Sequence, residues 1–234
     1  MTSTTLDLND ACKGIFKDRE WPFKIMVGAF INCAAIGLFK VNPIFLPLCF
    51  AMWGLTCGYS LRVLRATIKG DLEKLPDWGD PIDLLVSGLS WLSIYLGFSF
   101  FILSILAMSL LVAGATSLIS MNNPAFLPWA QGTFALVYIL FVFFTFFLSI
   151  LMANFAEEER MLAGFAWFKV LKRIARQPRP LLTAWLCGTT ITGIAVIVPA
   201  ISVIGMVLVP FLGFLSNVLA LRLIGCSWKT AEQI

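Results

Sequence analysis

The sequence predicts an all-α polytopic membrane bundle of about six transmembrane helices with two interfacial amphipathic helices, and three observations predict it. Hydrophobic residues make up 59% of the chain and charged residues only 13%, where soluble domains carry about 25% charged residues. The apolar residues are gathered into runs close to the roughly 20 needed to cross a hydrocarbon core about 30 Å thick. With six spans drawn, sixteen of the 17 Lys and Arg and all 13 Asp and Glu fall on the side from which the chain first enters the membrane; Lys40 is the exception. Cytoplasmic loops are enriched in Lys and Arg, so both termini are expected on the cytoplasmic side.

The elements follow in order. Residues 6–20 mix Leu6, Leu8, Ala11, Cys12, Ile15 and Phe16 with charges at helical spacing, which predicts a short amphipathic helix on the membrane surface. This start carries Asp7, Asp10, Asp18 and Glu20 and does not read as a signal peptide. Trp21-Pro22 ends it, because the residue before a proline resists the helical region. A first span over about Phe23 to Phe39 and a second over about Ile44 to Leu64 form a hairpin turned at Asn42-Pro43. The polar connection Lys69 to Asp83 follows. The run from Leu84 to Ile119 is long, about 54 Å as one helix, and is expected to tilt, to protrude, or to break near Gly97 or Gly114. An uncharged turn with Pro124, Pro128 and Trp129 leads to a Phe-rich fourth span, about Thr133 to Ala156. A second amphipathic, basic helix is expected over about Met161 to Arg176. Pro178-Arg179-Pro180 stops it. The fifth span runs over about Leu181 to Val198, Pro199 turns the chain, and the sixth covers about Ile204 to Leu223 with a kink at Pro210.

The organisation expected is a single membrane domain over 1–234. It comprises a surface helix 6–20, a hairpin 22–66, a central hairpin 84–156, a surface helix 161–177 and a hairpin 180–223. Residues 6–65 and 161–222 read alike, with Pro22 matching Pro180 and Pro43 matching Pro199. A parallel internal repeat about an axis along the membrane normal is one reading; the other is that any two proline-turned hairpins look this way.

The stretch Gly58-Tyr59-Ser60-Leu61-Arg62-Val63-Leu64-Arg65, followed by Gly70-Asp71-Leu72-Glu73-Lys74-Leu75-Pro76-Asp77-Trp78, resembles a prokaryotic inner-membrane family catalogued only as a domain of unknown function. There a GYxxRxxR helix end precedes a G[DE]xxxLPxW loop. A looser likeness covers Met152 to Glu158 and Ala163-Gly164-Phe165. The resemblance implies a bacterial or archaeal inner-membrane protein and carries no biochemical activity. In physical terms, Gly58 lets another helix approach closely. Tyr59, Arg62 and Arg65 stand where headgroup phosphates sit, with Asp71, Glu73, Asp77, Asp80 and Asp83 as local acidic partners. Trp78 reads as an interfacial anchor. Candidate lipid or partner contacts are therefore Tyr59, Arg62, Arg65 and Trp78, together with Lys169, Lys172, Arg173 and Arg176 of the basic helix.

Chemistry is mostly excluded. The chain has no histidine, which removes imidazole acid–base work and Ser-His nucleophiles. It has no P-loop and no GxGxxG fingerprint. No carboxylate lies mid-span, against a proton relay. No catalytic residue, metal site or cofactor is assigned. The six cysteines have no CxxC spacing and read as small apolar packing residues. The basic balance is explained by membrane orientation, so no nucleic-acid partner is expected. Intramembrane Asn32, Asn154 and Asn217 suit interhelical hydrogen bonds. The Phe stripe Phe141, Phe143, Phe144, Phe146 and Phe147 suits lipid or helix packing.

Three functions stay open. The first is a non-catalytic accessory or scaffold subunit, bound to membrane lipids and to a membrane protein partner or to itself as a homo-oligomer. The second is a small-solute transporter or substrate-binding component, for which the three asparagines have to converge on one cavity. A lipid-modifying enzyme built on Arg62 and Arg65 comes last.

Overall fold

The computed structural model describes residues 14–122 and 127–230. Among them there is no strand. Seven α-helices lie wholly within the described residues, in chain order: α1 Trp21–Val41, α2 Leu46–Lys69, α3 Pro81–Asn122, α4 Leu127–Glu158, α5 Trp167–Arg176, α6 Pro178–Ala200 and α7 Val203–Thr230. Short 3-10 turns occupy Pro43–Phe45 and Met161–Phe165. Six of the helices are long and apolar enough to cross a membrane, which makes this a multi-pass membrane protein. α5 is the exception, too short to span.

The helix boundaries have local causes. Asn42 accepts the Ile44 amide through Oδ1 at 2.9 Å and so opens the turn after α1. At the other end of α2, Gly70 takes φ +93° and closes the helix with its own N–H, a left-handed position that glycine fills without strain. Asp80 caps α3, accepting Ile82 N at 2.9 Å, and Pro81 at the first helical position has no amide to satisfy. Glu159 ends α4 at φ 56°, a left-handed conformation uncommon outside glycine.

Two sequence expectations are settled here. The run from Leu84 does not break: α3 is one helix of 42 residues through Gly97 and Gly114, about 63 Å long. The basic amphipathic helix expected over Met161 to Arg176 is not continuous. The chain makes a 3-10 turn, leaves helical geometry at Ala166 (φ −80°, ψ 57°), and starts α5 only at Trp167. Small Ala163 and Gly164 are buried in that turn, where Asn154 Nδ2 donates to the Ala163 carbonyl at 2.9 Å. Of the surface helix expected over 6–20, residues 6–13 lie outside the described residues; 14–17 are helical and the chain bends from Asp18. Residues 123–126 of the proline turn also lie outside.

Packing divides the chain into two compact units, residues 1–92 with 149–234, and residues 93–148. In the first, α1, α2 and α7 pack on one another and α6 lies along α7. Glycines set the closest approaches. Gly54 and Gly58 of α2 meet Leu84, Leu85 and Gly88 of α3 so tightly that a Cβ on Gly58 would overlap the Leu84 carbonyl, and one on Gly88 the Gly54 carbonyl. This is the close backbone contact that small residues four apart permit between membrane helices. Five of the cysteines, Cys33, Cys49, Cys57, Cys187 and Cys226, are free thiols. In the second unit, Phe98 and Phe144 meet with ring centroids 5.9 Å apart. Phe101, Ile105, Leu140, Phe141 and their neighbours line an apolar cleft of about 170 Å³. Phe141 and Phe143 are exposed while Phe146 and Phe147 are buried.

Candidate functional site: a clamped loop and a basic surface helix

The connection between α2 and α3 has no regular structure over residues 71–80. Its backbone groups therefore need partners from elsewhere. Side chains of three helices supply them. Arg222 on α7 donates through Nη2 to Leu72 O at 3.2 Å and Lys74 O at 3.0 Å. Lys24 on α1 donates to Leu75 O at 2.8 Å. Tyr59 on α2 donates from its hydroxyl to Pro76 O at 3.2 Å. Arg62, one turn further along, donates through Nη1 to Asp77 O at 3.1 Å and Trp78 O at 2.8 Å. Carbonyls at 72, 74, 75, 76, 77 and 78 are thus all held by side chains.

The side chains of the loop are held as well. Trp78 stacks on Tyr59, centroids 4.2 Å apart and planes 12° from parallel, and its Nε1 donates to Lys24 O at 3.0 Å. Phe214 of α7 lies behind the pair, 6.1 Å from Tyr59 and 6.3 Å from Trp78. Leu75 is buried with Ile15, Ile25, Val63, Leu84 and Val218 in one apolar core. Gly79 takes φ +59°, and a Cβ there would strike the Arg62 guanidinium. Glycine takes that left-handed backbone without strain and leaves the Arg62 guanidinium its place.

Charge is balanced around Lys24. Lys24 is only 8% exposed and its Nζ lies 3.0 Å from Asp18 Oδ2 and 2.8 Å from Asp77 Oδ1. Asp18 Oδ2 also accepts Leu75 N at 3.2 Å, and Oδ1 accepts Glu20 N at 3.0 Å. Burial by itself pushes the Asp18 carboxyl up. The hydrogen bonds from Glu20, Lys24 and Leu75 and the Lys24 charge outweigh it, so its pKa lies below the ordinary carboxylate value. Arg62 closes the far side, with Nη2 2.7 Å from Asp83 Oδ2.

Arg65 departs from its sequence reading. Its acidic partner is not in the α2–α3 loop but is Glu159 at the end of α4, 3.6 Å away. The three carboxylates of the Glu157-Glu158-Glu159 run point to different cations, four in all. Glu157 accepts Arg173 Nη1 at 3.0 Å, Glu158 pairs with Lys169, and Glu159 faces Arg65 and Lys69. Arg173 also lies 3.7 Å over the ring of Trp228 and donates to its carbonyl at 3.1 Å. Of the four basic candidates on α5, Lys169 and Arg173 are therefore turned to carboxylates, while Lys172 and Arg176 are exposed.

The three asparagines do not share a partner. Asn32 accepts from Thr56 Oγ1 at 3.2 Å, Asn154 donates to Ala163 O at 2.9 Å, and Asn217 donates to Ser60 Oγ at 3.2 Å. Asn217 lines a cavity of about 280 Å³ with Thr189, Thr192 and Ser149, whereas Asn32 and Asn154 are not among its walls. Sequence reading missed Asp18, Lys24 and Arg222. The signal available was a cation set inside an apolar run, Lys24 in the first turn of α1 and Arg222 two turns before the end of α7.

No curated protein and no solved structure matches this chain. One family model, described as a protein of unknown function (DUF4013), matches residues 43–210, from the turn after α1 to Pro210 inside α7, and so spans the clamped loop and the basic helix together. That match takes in well over half of the sequence, and the chain belongs to the DUF4013 family.

Proposed function

We propose that this chain is a non-catalytic accessory or scaffold subunit of a membrane protein complex, seated in a prokaryotic inner membrane with both termini cytoplasmic. One observation carries the reading. The polar side chains at the conspicuous GYxxRxxR and LPxW positions are spent inside the chain: Tyr59 and Arg62 donate to loop carbonyls at 76, 77 and 78, Trp78 donates to Lys24 O, and Arg65 faces Glu159. What faces outward is chiefly apolar helix surface, with Phe100, Phe101, Leu103, Met108, Leu111, Leu136, Tyr138 and Ile139 all exposed in the 93–148 unit. Such a surface suits contact with lipid and with other transmembrane helices, where packing drives association.

The test is native mass spectrometry of the complex extracted from its source membrane in gentle detergent. A stoichiometric protein partner is the expected result. A lone chain or homo-oligomer carrying a defined small molecule would overturn the reading in favour of a solute-binding component. The specific support for that second reading is the cavity at Asn217, Thr189 and Thr192. Orientation is tested separately, by labelling single cysteines placed at Lys40 and at Lys229. Lys40 reacting from the periplasmic face, and Lys229 only after the cytoplasmic face is opened, is the expected pattern.

A further inference from the structure

The basic segment after α4 divides its residues by face. In α5, buried Val170 and the pairs Lys169–Glu158 and Arg173–Glu157 hold one side of the helix against the protein. That anchoring sets the rotation of the remaining residues. At 100° per residue, Trp167, Phe168 and Leu171 fall on one outward arc and Lys172 and Arg176 on the next. Phe168 is 89% exposed and Leu162, in the turn before the helix, 82%; Met161, Phe165, Trp167 and Leu171 are exposed as well. Lys172, Arg176 and Arg179 are exposed, and no carboxylate among the described residues pairs with them.

An isolated helix in water would not leave so many large apolar side chains uncovered beside three unpaired cations. The connectivity supplies the cover. This segment joins the end of α4 to the start of α6, both membrane-crossing helices, so it lies at headgroup depth. A helix there, with one apolar arc and one basic arc, rests with its rings in the acyl boundary and its cations among the phosphates. We infer that α5 and the turn before it form a binding face for anionic phospholipid. In this arrangement Lys172, Arg176 and Arg179 hold phosphodiester headgroups, and Phe165, Trp167, Phe168 and Leu171 insert beside the acyl chains. The inference rests on the membrane-spanning fold and not on the accessory-subunit reading; either stands if the other fails.

The occupant is a lipid and not free phosphate because charge and apolar surface adjoin on one helix. A soluble anion uses only the first. Lys169 and Arg173 belong to the protein's own ion pairs and contribute little to lipid preference.

The full chain, reconstituted in vesicles of equal phosphatidylglycerol and phosphatidylcholine, is extracted in gentle detergent, and the lipids it retains are counted by native mass spectrometry. The unaltered protein is expected to retain phosphatidylglycerol in preference. The preference should fall by roughly fivefold for each cation neutralised in the series Lys172→Gln, Arg176→Gln and Arg179→Gln. A salt titration of the unaltered protein is the independent reading should a variant fail to fold. Phosphatidylglycerol is expected to be lost as ionic strength rises, while added inorganic phosphate at constant ionic strength leaves it in place. Equal retention of the two lipids by the unaltered protein, an undiminished preference in the triple variant, or displacement by phosphate overturns the inference.

Discussion

Arg62 and Arg176 both stand near the charged ends of helices. Arg62 donates to two loop carbonyls and pairs with Asp83, while Arg176 is exposed at the end of α5. In sequence the two regions look alike, each a helix end with two basic residues three apart, Arg62 with Arg65 and Arg173 with Arg176. What separates them is the backbone nearby. Loop 71–80 has no regular structure and draws in Lys24, Tyr59, Arg62 and Arg222 as donors. The α5 backbone satisfies itself apart from its ends, and Lys172 and Arg176 stay exposed. Cations at a membrane surface are recruited inward where irregular backbone needs them and left outward where it does not.

The largest break in this comparison is expected at Lys24. Its neutralisation in Lys24→Met leaves Asp18, 6% exposed, without its cation. Removing one partner of a buried pair costs roughly 3–5 kcal/mol, and thermal unfolding in detergent should show a large drop or failure to fold. Gly58→Ala comes next. Its Cβ overlaps the Leu84 carbonyl, a backbone atom that cannot swing away, so overpacking of about 1–3 kcal/mol is expected. Gly37→Ala, where nothing lies within 4 Å of the added carbon, should be neutral or stabilising. Equal midpoints for the two alanine variants would contradict the tight α2–α3 crossing.

A smaller effect sharpens the electrostatic side. The Asp18 pKa lies below its ordinary value, so the carboxylate contributes stability that is complete above the unfolded value of about 3.9. That contribution is lost as pH falls through the lower folded value. Unfolding midpoints measured from pH 6 down to pH 3 should decline more steeply in the unaltered protein than in Asp18→Asn. Parallel curves would remove Asp18 from the clamp.

How much of this was legible beforehand varied with the kind of signal. The spans were visible because hydrocarbon imposes a run of about 20 apolar residues, and all six appear as helices. Gly58 was readable as a close-approach site because a missing side chain lets helix backbones meet, but Gly37 and Gly97 carry the same signal and meet nothing within 4 Å. Tyr59, Arg62 and Trp78 were visible as a group, but which way they faced was not. Composition cannot say whether an arginine meets a phosphate or a backbone carbonyl, since both are oxygen acceptors. Lys24 and Arg222 were missed because each reaches into the 71–80 loop from far away in sequence. The split of Met161 to Arg176 was missed because amphipathic spacing continues across Ala166 while the backbone does not.

The most direct test of the clamp compares thermal midpoints in one detergent for Trp78→Ala and for Lys172→Gln/Arg176→Gln. Trp78→Ala loses the stack on Tyr59 and the hydrogen bond to Lys24 O, together about 2 kcal/mol. That corresponds to a fall of about 4–8 °C for a chain of this size. The double variant, which alters two exposed residues, should stay within about 0.5 kcal/mol of the unaltered protein. An unchanged midpoint in Trp78→Ala, with the loss appearing in the double variant instead, would contradict the account.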